Sequence, residues 1–99
     1  MPKGYWIVRV TVHDRDAFEK YRQANAVALN KFGARFQVRG GEQEIMEGNA
    51  RPRTIVLEFP TIEDARACYF SPEYKAARVL RDDPAVSAAD FVIVQGYDG

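Results

Sequence analysis

The spacing of apolar residues changes several times along this chain, and each change predicts a new strand or helix. Over residues 5–12 every second side chain is apolar, the period of a β-strand with one buried face. Over residues 17–32 apolar side chains recur three and four positions apart, which predicts a helix. Asp14 is its predicted N-cap, and Gly33 suits the position after its last turn.

Short strands and turns are predicted in the middle of the chain. Residues 35–39 form a strand, Gly40-Gly41 a turn or bulge, and residues 43–47 a hairpin partner. Residues 53–59 alternate again and predict a further strand, which ends at Pro60.

Two capping signals open the last helical region. Thr61-x-x-Asp64 is an acidic variant of the capping box, and Ser71-Pro72 restarts the helix with a serine N-cap and proline in the first turn. Residues 82–89 are predicted to be a polar connection, and residues 91–95 the last strand.

The element order is therefore β-α-β-(β)-β-α-β. It predicts a single α+β domain spanning residues 1–99, of the ferredoxin-like βαββαβ type. In that arrangement the sheet is antiparallel and both helices cover one of its faces.

The helix-free face of the sheet is predicted to carry both apolar and charged residues. The alternation assigns the helix-covered face to Trp6, Val8, Val10, Phe36, Val38, Ile55, Leu57, Phe59, Phe91 and Ile93. It assigns the other face to Tyr5, Ile7, Val56, Val92 and Val94, beside Arg9, Arg35, Gln37, Arg39 and Glu58. Because so large an apolar patch is seldom left in water, we expect a homodimer, a dimeric α/β barrel whose sheets pack face to face.

Composition narrows the range of partners. The 14 basic and 14 acidic residues cancel, and no basic run indicates a nucleic-acid partner. No apolar run approaches the roughly 20 residues that cross a bilayer, and the N-terminus lacks a signal-peptide pattern, so a cytoplasmic protein without a membrane partner is expected. The single cysteine, Cys68, is interpreted as a small core residue.

Several short motifs carry a resemblance to a known family. They are Gly4-Tyr5-Trp6-Ile7, Arg39-Gly40-Gly41, Glu47-Gly48, Pro52-Arg53, Glu58-Phe59-Pro60 and Tyr69-Phe70-Ser71-Pro72-Glu73-Tyr74. With these motifs the chain resembles, over nearly its whole length, the family called domain of unknown function 1330 (DUF1330). The resemblance implies a dimeric α/β barrel and no agreed activity.

Five residues are candidates for binding a small organic ligand between helices and sheet: Trp6, Tyr21, Asn25, Tyr69 and Tyr74. Aromatic walls with a few hydroxyl groups suit a planar ligand. Asn25 lies on the apolar stripe of the first helix, where its amide needs hydrogen-bonding partners. The alternative is that the aromatic residues are ordinary core and that Asn25 lies at its boundary.

Four charged residues are candidates for a dimer or polar network: Arg9, Arg39, Arg53 and Glu58. Ion pairing between subunits is the favoured role; the alternative for the arginines is binding a carboxylate. His13, the one histidine, is interpreted as a solvated turn residue. No metal site is expected, and because the second predicted helix has no histidine to ligate haem, no cofactor is expected either.

Three functions fit these residues. The first is binding of a small organic ligand, with cofactor-free proton transfer, isomerisation or oxygenation if the protein is an enzyme. The second is a non-catalytic ligand-sensing module, and the third is a structural dimerisation unit. The sequence does not decide whether the protein is an enzyme.

Overall fold

One four-stranded sheet and one layer of helices make up the domain. The computed structural model describes residues 2–98, and all of the following refers to them. The elements in chain order are β1 (Gly4–Val12), α1 (Arg15–Lys31), β2 (Arg35–Arg39), β3 (Arg53–Phe59), α2 (Ile62–Phe70), α3 (Pro72–Arg78) and β4 (Ser87–Gln95). The strand order is β2-β3-β1-β4, with every neighbouring pair antiparallel. This order confirms the predicted ferredoxin-like fold.

The predicted helix ends are confirmed by side-chain contacts. The Asp14 carboxylate accepts the Ala17 N–H at 3.1 Å, and the Ser71 hydroxyl accepts the Tyr74 N–H at 3.1 Å. After α1, Gly33 has φ of 73°, a conformation that glycine adopts without steric cost. These caps satisfy backbone groups that the helices leave unpaired.

Two predicted segments are wrong. Residues 43–47 form a loop, in which the Gln43 side chain donates to the Arg51 carbonyl at 2.9 Å and accepts from Thr54 at 2.7 Å. Side-chain bonds thus tether this segment in place of a backbone ladder. The last strand begins at Ser87 rather than at residue 91, because Ser87 and Ala89 continue the inward-facing positions of β4 although their side chains are small.

A bulge in β2 exchanges the faces of two residues. Phe36 lies opposite Leu57, but Val38 lies opposite Val56 and Arg39 opposite Ile55, so the register shifts by one at Gln37. The prediction that Val38 faces the helices and Arg39 the other side is therefore wrong. The extra residue of a bulge inverts the alternation after it.

The core lies between the helices and the covered sheet face, and Trp6 is at its centre. Trp6 is 1% exposed, packs against Phe59 and Tyr74, and its indole N–H donates to the Ala65 carbonyl of α2 at 2.9 Å. Gly4, at the start of β1, touches the backbone at the start of α2, where an added Cβ would lie 2.5 Å from the Thr61 oxygen.

On the opposite face, the sheet carries exposed apolar side chains. Val38, Val92 and Val94 are 40%, 54% and 44% exposed, and Tyr5, Ile7 and Val56 are half-buried. No helix within residues 2–98 is both long enough and apolar enough to cross a membrane.

Candidate functional site

A cavity lies between α1 and the covered face of the sheet. Its empty volume is about 560 Å³, counting the part that is open to solvent. It is lined by apolar and aromatic groups from all four strands and by polar groups from α1 and the strand ends: Trp6, Val8, Val10, Phe18, Tyr21, Arg22, Asn25, Phe36, Arg39, Arg53, Ile55, Leu57, Arg81, Ala89 and Phe91.

Arginines from four separate places in the chain converge on this cavity. They are Arg22 of α1, Arg39 at the end of β2, Arg53 at the start of β3, and Arg81 after α3. Within the described part of the chain, the cavity lining includes no carboxylate. The positive charge of the site is therefore not balanced by the residues that form its wall.

Arg81 lies deep in the cavity wall. Its side chain is 11% exposed, and its guanidinium carbon lies 5.3 Å from the ring centre of Tyr21 and 5.9 Å from that of Phe91. Its Nη2 donates to the Tyr74 hydroxyl at 3.1 Å, and Asp82 lies 3.5 Å from Nη1. These contacts fix the plane of the guanidinium against the aromatic wall.

A pair of tyrosines extends this arrangement towards the cavity. The hydroxyls of Tyr21 and Tyr74 lie 2.7 Å apart, and either can donate. Burial and the adjacent Tyr21 raise the pKa of Tyr74 although Arg81 acts in the opposite direction, so Tyr74 is a neutral hydroxyl. Burial alone would lower the pKa of Arg81, but the oxygens of Tyr74 and Tyr21 outweigh it and raise the pKa. The guanidinium is therefore always charged.

Arg39 and Arg53 lie at the other end of the cavity. The Arg39 guanidinium stacks over the Phe36 ring, 4.3 Å from its centre. The Arg53 guanidinium lies against Gly40, where an added Cβ would come within 2.5 Å of Nη2, and Gly40 has φ of 70°. Glycine is thus required here both for the backbone conformation and for the position of Arg53.

Asn25 contributes an amide to the cavity. The residue is 8% exposed and lines the cavity beside Tyr21 and Arg22, and its side chain has no hydrogen bond to another group within residues 2–98. Its amide donors and acceptor are therefore available to a ligand or water in the cavity.

The structure brings together three of the five predicted ligand-binding residues. Trp6, Tyr21 and Asn25 line the cavity, whereas Tyr69 and Tyr74 do not. Tyr74 is fully buried behind Tyr21, because the hydroxyl pair places its ring on the core side. Tyr69, a residue of α2, packs edge-on against Trp6 and lies outside the cavity lining.

The four residues of the predicted polar network are divided between the two faces. Arg39 and Arg53 line the cavity, so the predicted position of Arg39 on the helix-free face is wrong. Arg9 and Glu58 are on the helix-free face, where Glu58 accepts a hydrogen bond from Tyr5 at 3.2 Å. Burial, then the charge and hydrogen bond of Glu58, raise the pKa of Tyr5.

Sequence reasoning missed Arg22 and Arg81. Both lie at helical spacing from residues of the inner faces: Arg22 follows Phe18 by four positions and precedes Asn25 by three, and Arg81 follows Ala77 by four. His13 lies exposed in the turn after β1 and is not part of the cavity lining. The described residues include no cluster of His, Cys, Asp and Glu that could hold a metal ion.

Fold and site together define a small ferredoxin-like α+β protein with an arginine-lined cavity between helix and sheet. The family model of the domain of unknown function (DUF1330) matches residues 3–97. The chain belongs to this family, as its motifs indicated. No curated protein matches the chain.

Solved structures with low sequence identity share the fold. A protein of unknown function from Rhodopseudomonas palustris is 11% identical, with a TM-score of 0.74, over 99% of this chain and 85% of that one. A dimeric ferredoxin-like protein of unknown function from Bacteroides fragilis is 15% identical, with a TM-score of 0.61, over 94% and 95%. SnoaB, a cofactor-independent oxygenase from Streptomyces nogalater, is 15% identical, with a TM-score of 0.62, over 100% and 97%.

Proposed function

We propose that the protein binds a small organic ligand in the cavity between α1 and the sheet. The observation that carries this proposal is the convergence of aromatic rings, four arginines and the Asn25 amide on one partly open cavity. A mostly apolar hollow with a few convergent polar groups is typical of small-molecule sites. A solid helix–sheet core would instead have favoured a purely structural dimerisation unit.

Catalysis without a cofactor is the second candidate function. It is favoured by the similarity of fold to SnoaB, whose described activity is cofactor-independent oxygenation. In this chain the reaction would be proton transfer, isomerisation or oxygenation of a ligand held against Trp6, Tyr21 and Asn25. A ligand-sensing module would bind the ligand in the same cavity without converting it to a product.

Binding can be tested with isotope-labelled protein and a small-molecule library. We expect amide NMR shifts to concentrate around the cavity, and we expect Ala89→Leu, which fills part of it, to weaken binding at least about tenfold. Ala26→Leu, an exposed change on α1, is the matched control and should leave binding unchanged. The proposal is wrong if no compound in the library shifts the amide NMR signals of the cavity residues, or if Ala89→Leu leaves binding unchanged.

We further propose that the helix-free face mediates a homodimer. Three valines there are 40–54% exposed, and the dimeric relative from Bacteroides fragilis supports this arrangement. Packing two such faces together removes both patches from water, and a stable contact needs roughly 800 Å² from each partner. The two cavities would then lie on the outside of the assembly, each behind its own sheet.

Sedimentation of two matched variants tests the interface. Val92→Lys places a charge on the helix-free face, whereas Val27→Lys places it on α1; the two valines are 54% and 62% exposed. We expect the wild type and Val27→Lys to sediment as dimers at micromolar concentration and Val92→Lys as a monomer. A monomeric wild type, or a Val92→Lys variant that dimerises as strongly as the wild type, contradicts the proposal.

A further inference from the structure

We infer that the ligand is a planar organic oxyanion, with an aromatic carboxylate as its simplest example. This inference rests on the proposed binding function and specifies the chemistry of that same cavity. It depends on three features: the charge of the cavity lining, the orientation of two of its arginines and the aromatic surfaces beside them.

The charge of the lining is locally unbalanced in a chain whose total charge is zero. The 14 basic and 14 acidic residues cancel overall, yet four of the basic residues line this one cavity. Arg22 pairs with Glu19 at 3.2 Å, and Arg81 lies 3.5 Å from Asp82. Arg39 and Arg53 have no ion pair within residues 2–98. A negatively charged ligand would relieve the repulsion between these charges.

Two of the four guanidinium groups have contacts that orient them before a ligand arrives. Arg81 is fixed by Tyr74 and by the rings of Tyr21 and Phe91, and Arg39 is stacked on Phe36. A guanidinium has five N–H donors in a planar fork that matches the two oxygens of a carboxylate. Since the Arg81 side chain, 11% exposed, loses little freedom on binding, more of its interaction energy contributes to affinity.

The surfaces beside the arginines favour a flat ligand. Trp6, Phe36 and Phe91 contribute rings to the same cavity, Phe18 and Tyr21 contribute two more, and five aliphatic residues complete its apolar wall. An aromatic or enol-type acid combines a flat apolar body with a delocalised oxyanion. It would therefore use both the ring surfaces and the guanidinium donors.

An adjoining open groove gives such a ligand a positively charged route. The groove is lined by residues that include Arg15 and Glu19, and it shares Phe18, Arg22 and Arg53 with the cavity. The two shared arginines therefore lie where the groove meets the cavity. Positive charge at an entrance attracts anions and raises their rate of association, an effect that salt weakens.

The test uses pairs of compounds that differ in charge but hardly in shape. Benzoate is compared with benzamide, and salicylate with salicylamide, by amide NMR shifts of the labelled protein. We expect each acid to bind at the cavity at least about tenfold more tightly than its amide, with an advantage that falls as salt is raised. Arg53→Gln and Arg39→Gln should each weaken acid binding roughly ten- to a hundredfold, the effect of losing a charged hydrogen bond, and should leave amide binding nearly unchanged.

Arg66→Gln is the matched control, because Arg66 is exposed on α2 and outside the cavity. It should change neither affinity. The anion inference is wrong if acids and amides bind the cavity equally well, or if acid binding survives both cavity substitutions. In either case the proposed binding function would still stand. If no acid, amide or other library member shifts the cavity residues, both proposals fail.

Discussion

Replacing Tyr74 by phenylalanine removes the hydroxyl that hydrogen-bonds to both Arg81 and Tyr21. Its hydroxyl accepts from Arg81 at 3.1 Å and lies 2.7 Å from the hydroxyl of Tyr21, and the residue is fully buried. In the variant, a guanidinium that is 11% exposed loses its close hydrogen-bond acceptor. The ring itself, packed on Trp6, stays in place.

The two hydrogen bonds of the Tyr74 hydroxyl determine how much stability this substitution removes. A hydrogen bond to a charged group contributes about 1.5–3 kcal/mol and a neutral one about 0.5–1.5 kcal/mol. Tyr74→Phe should therefore lower the free energy of unfolding by about 2–4.5 kcal/mol. Tyr21→Phe removes only the bond between the hydroxyls and leaves Arg81 paired with Tyr74, so its effect should be about 0.5–1.5 kcal/mol.

Urea denaturation at one fixed protein concentration measures both changes, since a dimer would make the midpoint depend on concentration. Each kcal/mol corresponds to roughly 4–8 °C in melting temperature for a domain of this size. Tyr97→Phe is the control, because Tyr97 is 97% exposed and its hydroxyl should contribute less than about 0.5 kcal/mol. Should Tyr74→Phe prove no more destabilising than Tyr21→Phe, the Arg81–Tyr74 bond does not contribute as argued.

Three further predictions concern the rest of the domain. Gly4→Ala should destabilise the protein by about 1–3 kcal/mol or more, because the new methyl meets the backbone at the start of α2; Gly41→Ala, with open space around it, should be nearly neutral in the same denaturation assay. Lys31 lowers the pKa of Glu73 chiefly through its hydrogen bond. The folded-state pKa is thus below the unfolded value, so this pair should stabilise the fold fully above about pH 4.5, and the difference between the wild type and Glu73→Gln should shrink as the pH falls from there through the lowered folded-state pKa. Burial, then the charge of Glu73, raises the pKa of Cys68 to about 12, so this thiol should react with a disulfide reagent only after unfolding; rapid reaction of the native protein would contradict its burial.

Most of the fold could be predicted from local signals. The two-residue period of β1, the Asp14 and Ser71 caps and the glycine after α1 are properties of a few adjacent residues, and all are observed. The segment 43–47 was predicted wrongly because a side chain, Gln43, makes the hydrogen bonds that tether it. The first half of β4 was missed because its small residues carry little strand preference, and pairing with β1 determines their conformation.

The candidate site was harder to predict because it depends on contacts between distant elements. Helical spacing located Tyr21 and Asn25 on the inner face of α1. It could not show that Tyr74 lies behind Tyr21, since that depends on how α3 packs against α1. Nor could an alternating pattern locate Arg39, because the register shift that reverses its face leaves no sign in the composition of β2.

The bulge at Gln37 also determines which compartment the charge of Arg39 enters. Because Gln37 is the extra residue, deleting it would let Val38 follow Phe36 in strict alternation and would leave the guanidinium of Arg39 in the cavity. Pairing all five residues of β2 without a bulge would instead turn Arg39 to the valine-rich side and Val38 into the cavity. One unpaired residue in an edge strand thus decides whether this chamber is cationic.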